Sequence, residues 1–314
     1  MMTVRWRSVF AWLVVLVPVL AQETYDWSKA AELVPGIRHT SAVVELPNAV
    51  GLNGPYLRDF DPEKPRPIRM QVARIDTRQP GLRFTATGRA EGWGEPIPGI
   101  PEDKSGPFLI RTERQTTRQF AQAERTAGRP VVLAINTAPW SPFGGTPTPY
   151  ADRMGLAVSG GLLISPANGR PSLVVRADGS VDLVTTTAET DLAGIQVAAS
   201  GFQFCLVKGE PVAPDKVLHP RTGIGLCAEK RFLVFLVVDG RQADTHGVTV
   251  REVGEWLRHY GASDGLNMDG GGSTTMVLWN PDRDAYGVAN KPSGGERKNG
   301  SNLGVFFARE PAAE

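Results

Sequence analysis

From Ile68 onward the chain places apolar and polar side chains in short alternating runs, the period-two pattern of half-buried strands. Ile68, Met70 and Val72 alternate and lead through Ile75-Asp76 to a turn at Gln79-Pro80-Gly81. After it Leu82, Phe84 and Ala86 predict a return strand. Val131 to Ile135 is a continuous apolar run and predicts a buried strand ending at Asn136. Short strands are expected at Gly155–Ser159 and Leu162–Ser165, and Asp178-Gly179 marks a hairpin joining Leu173–Arg176 to Val181–Val184. Phe232 to Val238 predicts another buried strand, ending at Asp239-Gly240, and Asn302 to Phe307 a final one. Two segments carry helical spacing instead. Thr112 to Ala127 has Thr112 and Gln115 placed as a capping box and Gly128 as its stop. In the second, Thr249 with Glu252 caps a helix whose apolar face is Val250, Val253, Leu257 and Tyr260, ended by Gly261. Strands outnumber helices. The expected fold class is α+β, a β-rich mixed sheet with a few helices in a single domain.

The breaks in this pattern set the boundaries. Residues 22–67 read as a polar lead-in, with Gly51 to Pro67 a loop rich in Pro, Gly and charge, and the domain proper is expected over 68–310. Residues 87–107 are heavy in Gly and Pro and predict an exposed excursion. The stretch from Thr137 to Tyr150 is too proline-dense for a regular element, so it is a long loop with two large aromatics, Trp140 and Phe143, near its start. At the N-terminus, Arg5 and Arg7 precede an apolar run from Val9 to Leu20, and Val19-Leu20-Ala21 precedes polar Gln22-Glu23. That is the layout of a cleaved secretory signal over 1–21, with an uncleaved anchor as the rival reading. The expected location is secreted or periplasmic, with no stable membrane span after cleavage. In an oxidising compartment Cys205 and Cys227, on neighbouring strand-like runs, would pair, and two buried free thiols are the alternative.

Charge narrows the partners. Lysine plus arginine number 34 against 33 acidic residues, so no global field favours nucleic acid. The four histidines, His39, His219, His246 and His259, have no ligand spacing, and neither a metal nor a cofactor is expected. Asn299-Gly-Ser is a formal glycosylation acceptor.

The chemistry concentrates in residues 264–276, Asp-Gly-Leu-Asn-Met-Asp-Gly-Gly-Gly-Ser-Thr-Thr-Met. A short apolar strand delivers Asp269 into Gly270, Gly271 and Gly272, whose backbone can take positive φ and approach a ligand closely. Ser273 and Thr274 follow with hydroxyls. The bland alternative is a flexible hairpin loop.

This motif, together with His219-Pro-Arg-Thr-Gly-Ile-Gly-Leu226, Val238-Asp-Gly-Arg241, the capped helix from Thr249 and Ala134-Ile-Asn136, resembles the phosphodiester glycosidase family over roughly residues 68 to 308. The resemblance implies hydrolysis of a sugar-1-phosphodiester to free sugar and phosphomonoester, with a sugar-phosphate or polysaccharide as the partner. One departure stands out. After Ala-Ile-Asn the family usually places Gly-Gly-Phe-Phe, whereas this chain has Thr137-Ala-Pro-Trp140. A phosphodiester leaving group is a weak base, so the site needs mainly a carboxylate at the anomeric carbon and donors for the phosphate. Asp269 is the first choice as general base or nucleophile, with Asp239 as a second carboxylate. The amides of Gly270, Gly271 and Gly272 with Ser273 and Thr274 are expected to bind phosphate or sugar oxygens. Arg221 is the expected phosphate clamp, Asn136 and Asn267 the expected ligands of sugar hydroxyls, and Arg241 and His219 weaker candidates. Two other readings remain open: a non-catalytic carbohydrate- or polyanion-binding module, and an ordinary glycosidase or cyclic-phosphodiester hydrolase on the same site.

Overall fold

The strand Arg66–Asp76 is buried on both faces, and that decides the layering. The computed structural model describes residues 24–308 apart from 56, 58–59 and 144–146, so the signal segment expected over 1–21 lies outside the described residues. On one face Ile68, Met70 and Val72 join Val234, Leu236, Val253 and Leu257 in a core beneath the helix α2 (Val250–His259). On the other, Ala73 and Ile75 join Phe235, Ile224, Leu266, Leu133, Ile135 and Val305. Alternation along each strand therefore feeds two cores at once.

The sheet holding this strand has eight members in the order Ala31–Val34, Ile37–Leu46, Arg66–Asp76, Phe232–Val238, Arg221–Leu226, Asp264–Asn267, Gln203–Val207 and Glu210–Pro211. Against its inner face packs a five-stranded sheet, Ala285–Val288, Met276–Asn280, Val131–Asn136, Asn302–Phe307 and Leu82–Ala86. Its outer face is covered by the helix α1 (Thr117–Thr126) through Phe120 and Ala121. A second five-stranded sheet (residues 157–200) and a small three-stranded one, Thr112–Glu113, Tyr150–Arg153 and Trp140–Ser141, complete the molecule.

Several expectations hold: the strands Val131–Asn136, Phe232–Val238 and Asn302–Phe307, the hairpin at Asp178-Gly179, and α2 with its Thr249/Glu252 capping box. Others are corrected. The sheets are not mixed. Every strand ladder among the described residues is antiparallel. Sequence neighbours such as Arg221–Leu226 and Phe232–Val238 are joined by loops too short for a parallel crossover. The strand Leu82–Ala86 does not return along Arg66–Asp76 but crosses to the other sheet and pairs with Asn302–Phe307. Helix α1 starts late: Thr112 and Glu113 pair with Ala151 and Tyr150, and the capping box is Thr116 with Gln119. Thr-x-x-Gln occurs twice in succession, at 112 and at 116, so the motif alone leaves the start undecided. The lead-in 22–67 supplies two strands of the main sheet, and Ile37–Leu46 pairs with Arg66–Asp76 along its whole length.

The two cysteines are free and buried. The strand Asp264–Asn267 lies between the strand of Cys205 and the one that ends just before Cys227. Two strand spacings are about 9.5 Å, beyond the roughly 7 Å that a disulfide spans between Cα atoms. Asn299 is also unavailable for glycosylation. It is buried, with its amide donating to Asn302 at 3.1 Å and its Oδ1 accepting from the Ser301 N–H at 2.9 Å.

Candidate active site

Both packed sheets end at the same edge of the molecule, and Asn136 ties them there. Its Nδ2 donates to the Asp269 carbonyl at 2.7 Å, and its Oδ1 accepts from the Thr222 hydroxyl at 2.7 Å and the Thr275 N–H at 3.1 Å. The Asp269 N–H donates to the Thr137 carbonyl at 2.7 Å. Asn136 is completely buried and its polar atoms are engaged, so it braces the loop rather than facing a ligand. The brace fixes Asp269.

Asp269 is 5% exposed. Its Oδ1 accepts from the Gly270 N–H at 2.9 Å, while Oδ2 has no hydrogen-bond partner among the described residues. Burial pushes its carboxyl up to about 6, against the opposing pull of the Ser273 hydroxyl, Arg297, the Gly270 amide and the Trp140 indole. Other unmatched polar atoms belong to the same motif or to its neighbours Trp140 and Arg297. The indole Nε1 of Trp140, Nε of Arg297, Oδ1 of Asn267 and the hydroxyls of Thr274 and Thr275 are all buried without a partner among the described residues. Such groups are few in folded proteins, and several within one sequence motif and its neighbours are what a ligand site presents.

The three glycines are required by close approach. A Cβ on Gly270 would stand 2.7 Å from the Pro220 carbonyl oxygen. Gly271 has φ +61, and a Cβ there would meet the Arg241 guanidinium at 2.8 Å. A Cβ on Gly272 would face the Arg297 guanidinium at 3.2 Å. Two arginines thus lie against the triplet. The expected amide cradle is largely absent, because Gly270 N–H donates to Asp269, Gly271 to Pro220, Ser273 to Gly270 and Thr274 to Gly271. Cationic side chains replace it.

Arg221, expected as the phosphate clamp, is engaged elsewhere: Nη2 donates to Asp215 Oδ2 at 2.9 Å and to the Val217 carbonyl, and Nε to the Val248 carbonyl. Asp239, expected as the second carboxylate, is 1% exposed and anchors a loop. It accepts from Asn290 Nδ2 and the Lys291 N–H at 3.0 Å and stands 3.6 Å from Arg69. Burial raises its carboxyl from the ordinary value against those three contacts. His219 is pushed down to about 4, first by burial and then by Arg221 and Arg241, so it is neutral at pH 7. Its Nδ1 faces Arg241 Nη2 at 3.0 Å.

Of the two guanidiniums against the glycine loop, Arg241 is a weaker candidate from the sequence and Arg297 is not singled out by it. Arg297 Nη2 donates to the Ser273 hydroxyl at 2.6 Å. It lies in a loop of Pro, Ser, Gly and charge (residues 292–298) with no motif to mark it. The aromatics do belong to the site. Trp140 is buried and Phe143 is 52% exposed, with their rings 4.4 Å apart. Arg114 stacks on Trp140 at 4.3 Å and Arg297 at 5.9 Å. Across the ladder from Trp140, Arg153 is buried with no partner for its guanidinium among the described residues, and burial pulls its pKa down to about 9. Among the described residues no group of three His, Cys, Asp or Glu side chains is placed to hold a metal.

Comparison with known proteins relates the chain to a family. The chain is 17% identical to the catalytic domain of zebrafish N-acetylglucosamine-1-phosphodiester alpha-N-acetylglucosaminidase, auto-inhibited by its pro-peptide, with a TM-score of 0.60 over 90% of this chain and 87% of that one. A hypothetical protein from Synechocystis shares the fold at 12% identity and a TM-score of 0.53, over 87% of this chain and 62% of that one. An uncharacterized SPbeta prophage-derived protein of Bacillus subtilis, YomE, is 26% identical over 56% of this chain, which spans only 28% of that protein. Residues 129–306 match the phosphodiester glycosidase family, and the chain belongs to that family.

Proposed function

We propose that this chain hydrolyses sugar-1-phosphodiesters, breaking the bond between the anomeric carbon and the phosphate oxygen to release free sugar and a phosphomonoester. The observation that carries the reading is the unpartnered Oδ2 of buried Asp269, set among other unmatched polar atoms and beside Arg297. With a carboxyl near 6, Asp269 is mostly ionised at neutral pH. It either takes the proton of a water that attacks the anomeric carbon or attacks that carbon itself. In both routes the electron pair of the breaking bond leaves on the phosphate, so the leaving group needs charge stabilisation more than a proton. Arg297, forked and already aimed by Ser273, is the group placed to supply it. Asn267, with a free Oδ1, and the indole N–H of Trp140 are the proposed donors and acceptors for the sugar. The apolar run Val9 to Leu20 behind Arg5 and Arg7 has the layout of a cleaved leader, which supports export to the periplasm or exterior. Among the described residues no helix is long and apolar enough to cross a membrane.

The test is release of sugar and phosphomonoester from a panel of sugar-1-phosphodiesters. Asp269→Asn should lower turnover by about 10²–10⁴-fold. Wild-type protein that binds the sugars by calorimetry yet turns none over would support the binding-module reading instead.

A further inference from the structure

Around the Trp140–Phe143 pair the charges do not balance. Arg297 stacks at 5.9 Å from Trp140 and 5.8 Å from Phe143, and Arg114 at 4.3 Å from Trp140. Neither arginine forms an ion pair among the described residues, and although Arg297 acts on the Asp269 carboxylate, Arg114 has no such neighbour among them. Arg114 donates Nε to the Tyr150 carbonyl at 2.8 Å and Nη2 to the Pro142 carbonyl at 3.0 Å, acceptors that orient the fork without cancelling its charge. Phe143 leaves the platform open to solvent. Arg297 already works against the Asp269 carboxylate and is aimed by Ser273. The charge acting on Arg114 is the like charge of Arg297, and two like charges around one ring repel unless an anion lies near both.

We propose that Arg114 binds a second anionic group carried by the substrate's aglycone, so that the preferred substrates are sugar-1-phosphodiesters whose alcohol portion itself bears a phosphate or carboxylate. This rests on the glycosidase reading of the same site. Arg297 takes the scissile phosphate beside Ser273, the aglycone crosses the exposed face of Phe143, and Arg114 meets its distal charge. The carbonyl contacts hold Arg114 in place before substrate arrives, which limits the ordering cost on binding. A chain of phosphodiester-linked sugars has this charge spacing at every repeat.

The experiment compares three diesters of one sugar, with ethyl, 2-carboxyethyl and 2-phosphoethyl aglycones, by kcat/KM in wild type, Arg114→Gln and Arg114→Lys. The wild type should prefer a charged aglycone by about tenfold or more, since a charge-assisted contact of this kind is worth at least that factor. The preference should shrink as ionic strength rises from about 0.05 to 0.5 M. R114Q should bring the ratio close to one, and R114K should keep part of it. Because the ratio is internal to each protein, partial misfolding of a variant does not imitate the result. The relative rates of the carboxylate and phosphate substrates identify which anion the subsite takes. Equal cleavage of all three by wild type overturns the inference while leaving the hydrolase reading intact, and a strong preference untouched by R114Q overturns the assignment to Arg114. Cleavage of none removes both.

Discussion

Asp269 concentrates the residue-scale physics of the site, because the burial that prepares it also destabilises the fold. Its carboxyl rises from an ordinary 3.8 to about 6, chiefly through desolvation. A carboxyl raised in the folded state favours folding in its protonated form, and that advantage fades as pH climbs from about 4 through 6. Above that window the buried charge costs up to about 3 kcal/mol. Asp269→Asn should therefore be more stable than wild type at pH 7, and the difference should vanish below about pH 4. Chemical denaturation at both pH values measures it; equal stabilities at pH 7 would mean that the charge is compensated. The same carboxyl acts as base or nucleophile only when ionised. The kcat/KM profile should accordingly have an acid limb centred near pH 6, and an activity still rising toward pH 4 would exclude Asp269 from either role.

Among the elements, helix α2 is the one the sequence describes most fully and the one whose packing it conceals. Its capping box and apolar face are legible because both follow from local spacing. What spacing does not show is how near the helix approaches the sheet. A Cβ on Gly254 would stand 2.2 Å from the Cys205 carbonyl oxygen, and one on Gly223 2.8 Å from Val253 Cγ1. Gly254→Ala therefore sets two effects against each other. Helix propensity favours alanine by about 1 kcal/mol, whereas overpacking against a backbone that cannot rotate away costs about 1–3 kcal/mol or more. The clash should win, and thermal unfolding should show a lower Tm for G254A. A higher Tm would place the helix farther from the sheet. The active-site elements divide in the same way. Asp269, the glycines and Ser273 stand out because one short motif requires them. Arg221 and Asp239 look equally chemical in sequence, yet one turns back to Asp215 in the loop before its own strand and the other is held by Asn290 from a distant segment. Arg297 and Arg114 carry no local signature at all. Their place depends on loops that only the finished fold brings to Trp140.

At the scale of the molecule, alternation identifies strands but not their partners, and the N-terminal segment shows the difference. Residues 31–46 contain too many polar and exposed positions to look like core, because Ile37–Leu46 buries only part of one face. Its role appears only through pairing: it covers Arg66–Asp76 from Ile37 opposite Ile75 to Leu46 opposite Arg66, and Ile37 is completely buried. The segment also closes the end of α2, where Trp27 Nε1 donates to the Tyr260 carbonyl at 3.2 Å and the Tyr25 N–H to the His259 carbonyl at 2.8 Å. Burial of Trp27 and Ile37 alone is worth about 1.5–3 kcal/mol each. Removing the ladder would also leave a long, largely apolar central strand as a bare edge. Set against a typical domain stability of about 5–15 kcal/mol, the segment carries a large share of the whole. Residues 68–308 expressed alone should accordingly lack a cooperative unfolding transition and should aggregate, whereas residues 24–308 should unfold in one step. Calorimetry of the two proteins decides it. A sharp transition in the shorter one, near the Tm of the longer, would make the first two strands an accessory to a domain that begins at residue 68, and its retained turnover would show that the site needs nothing from them.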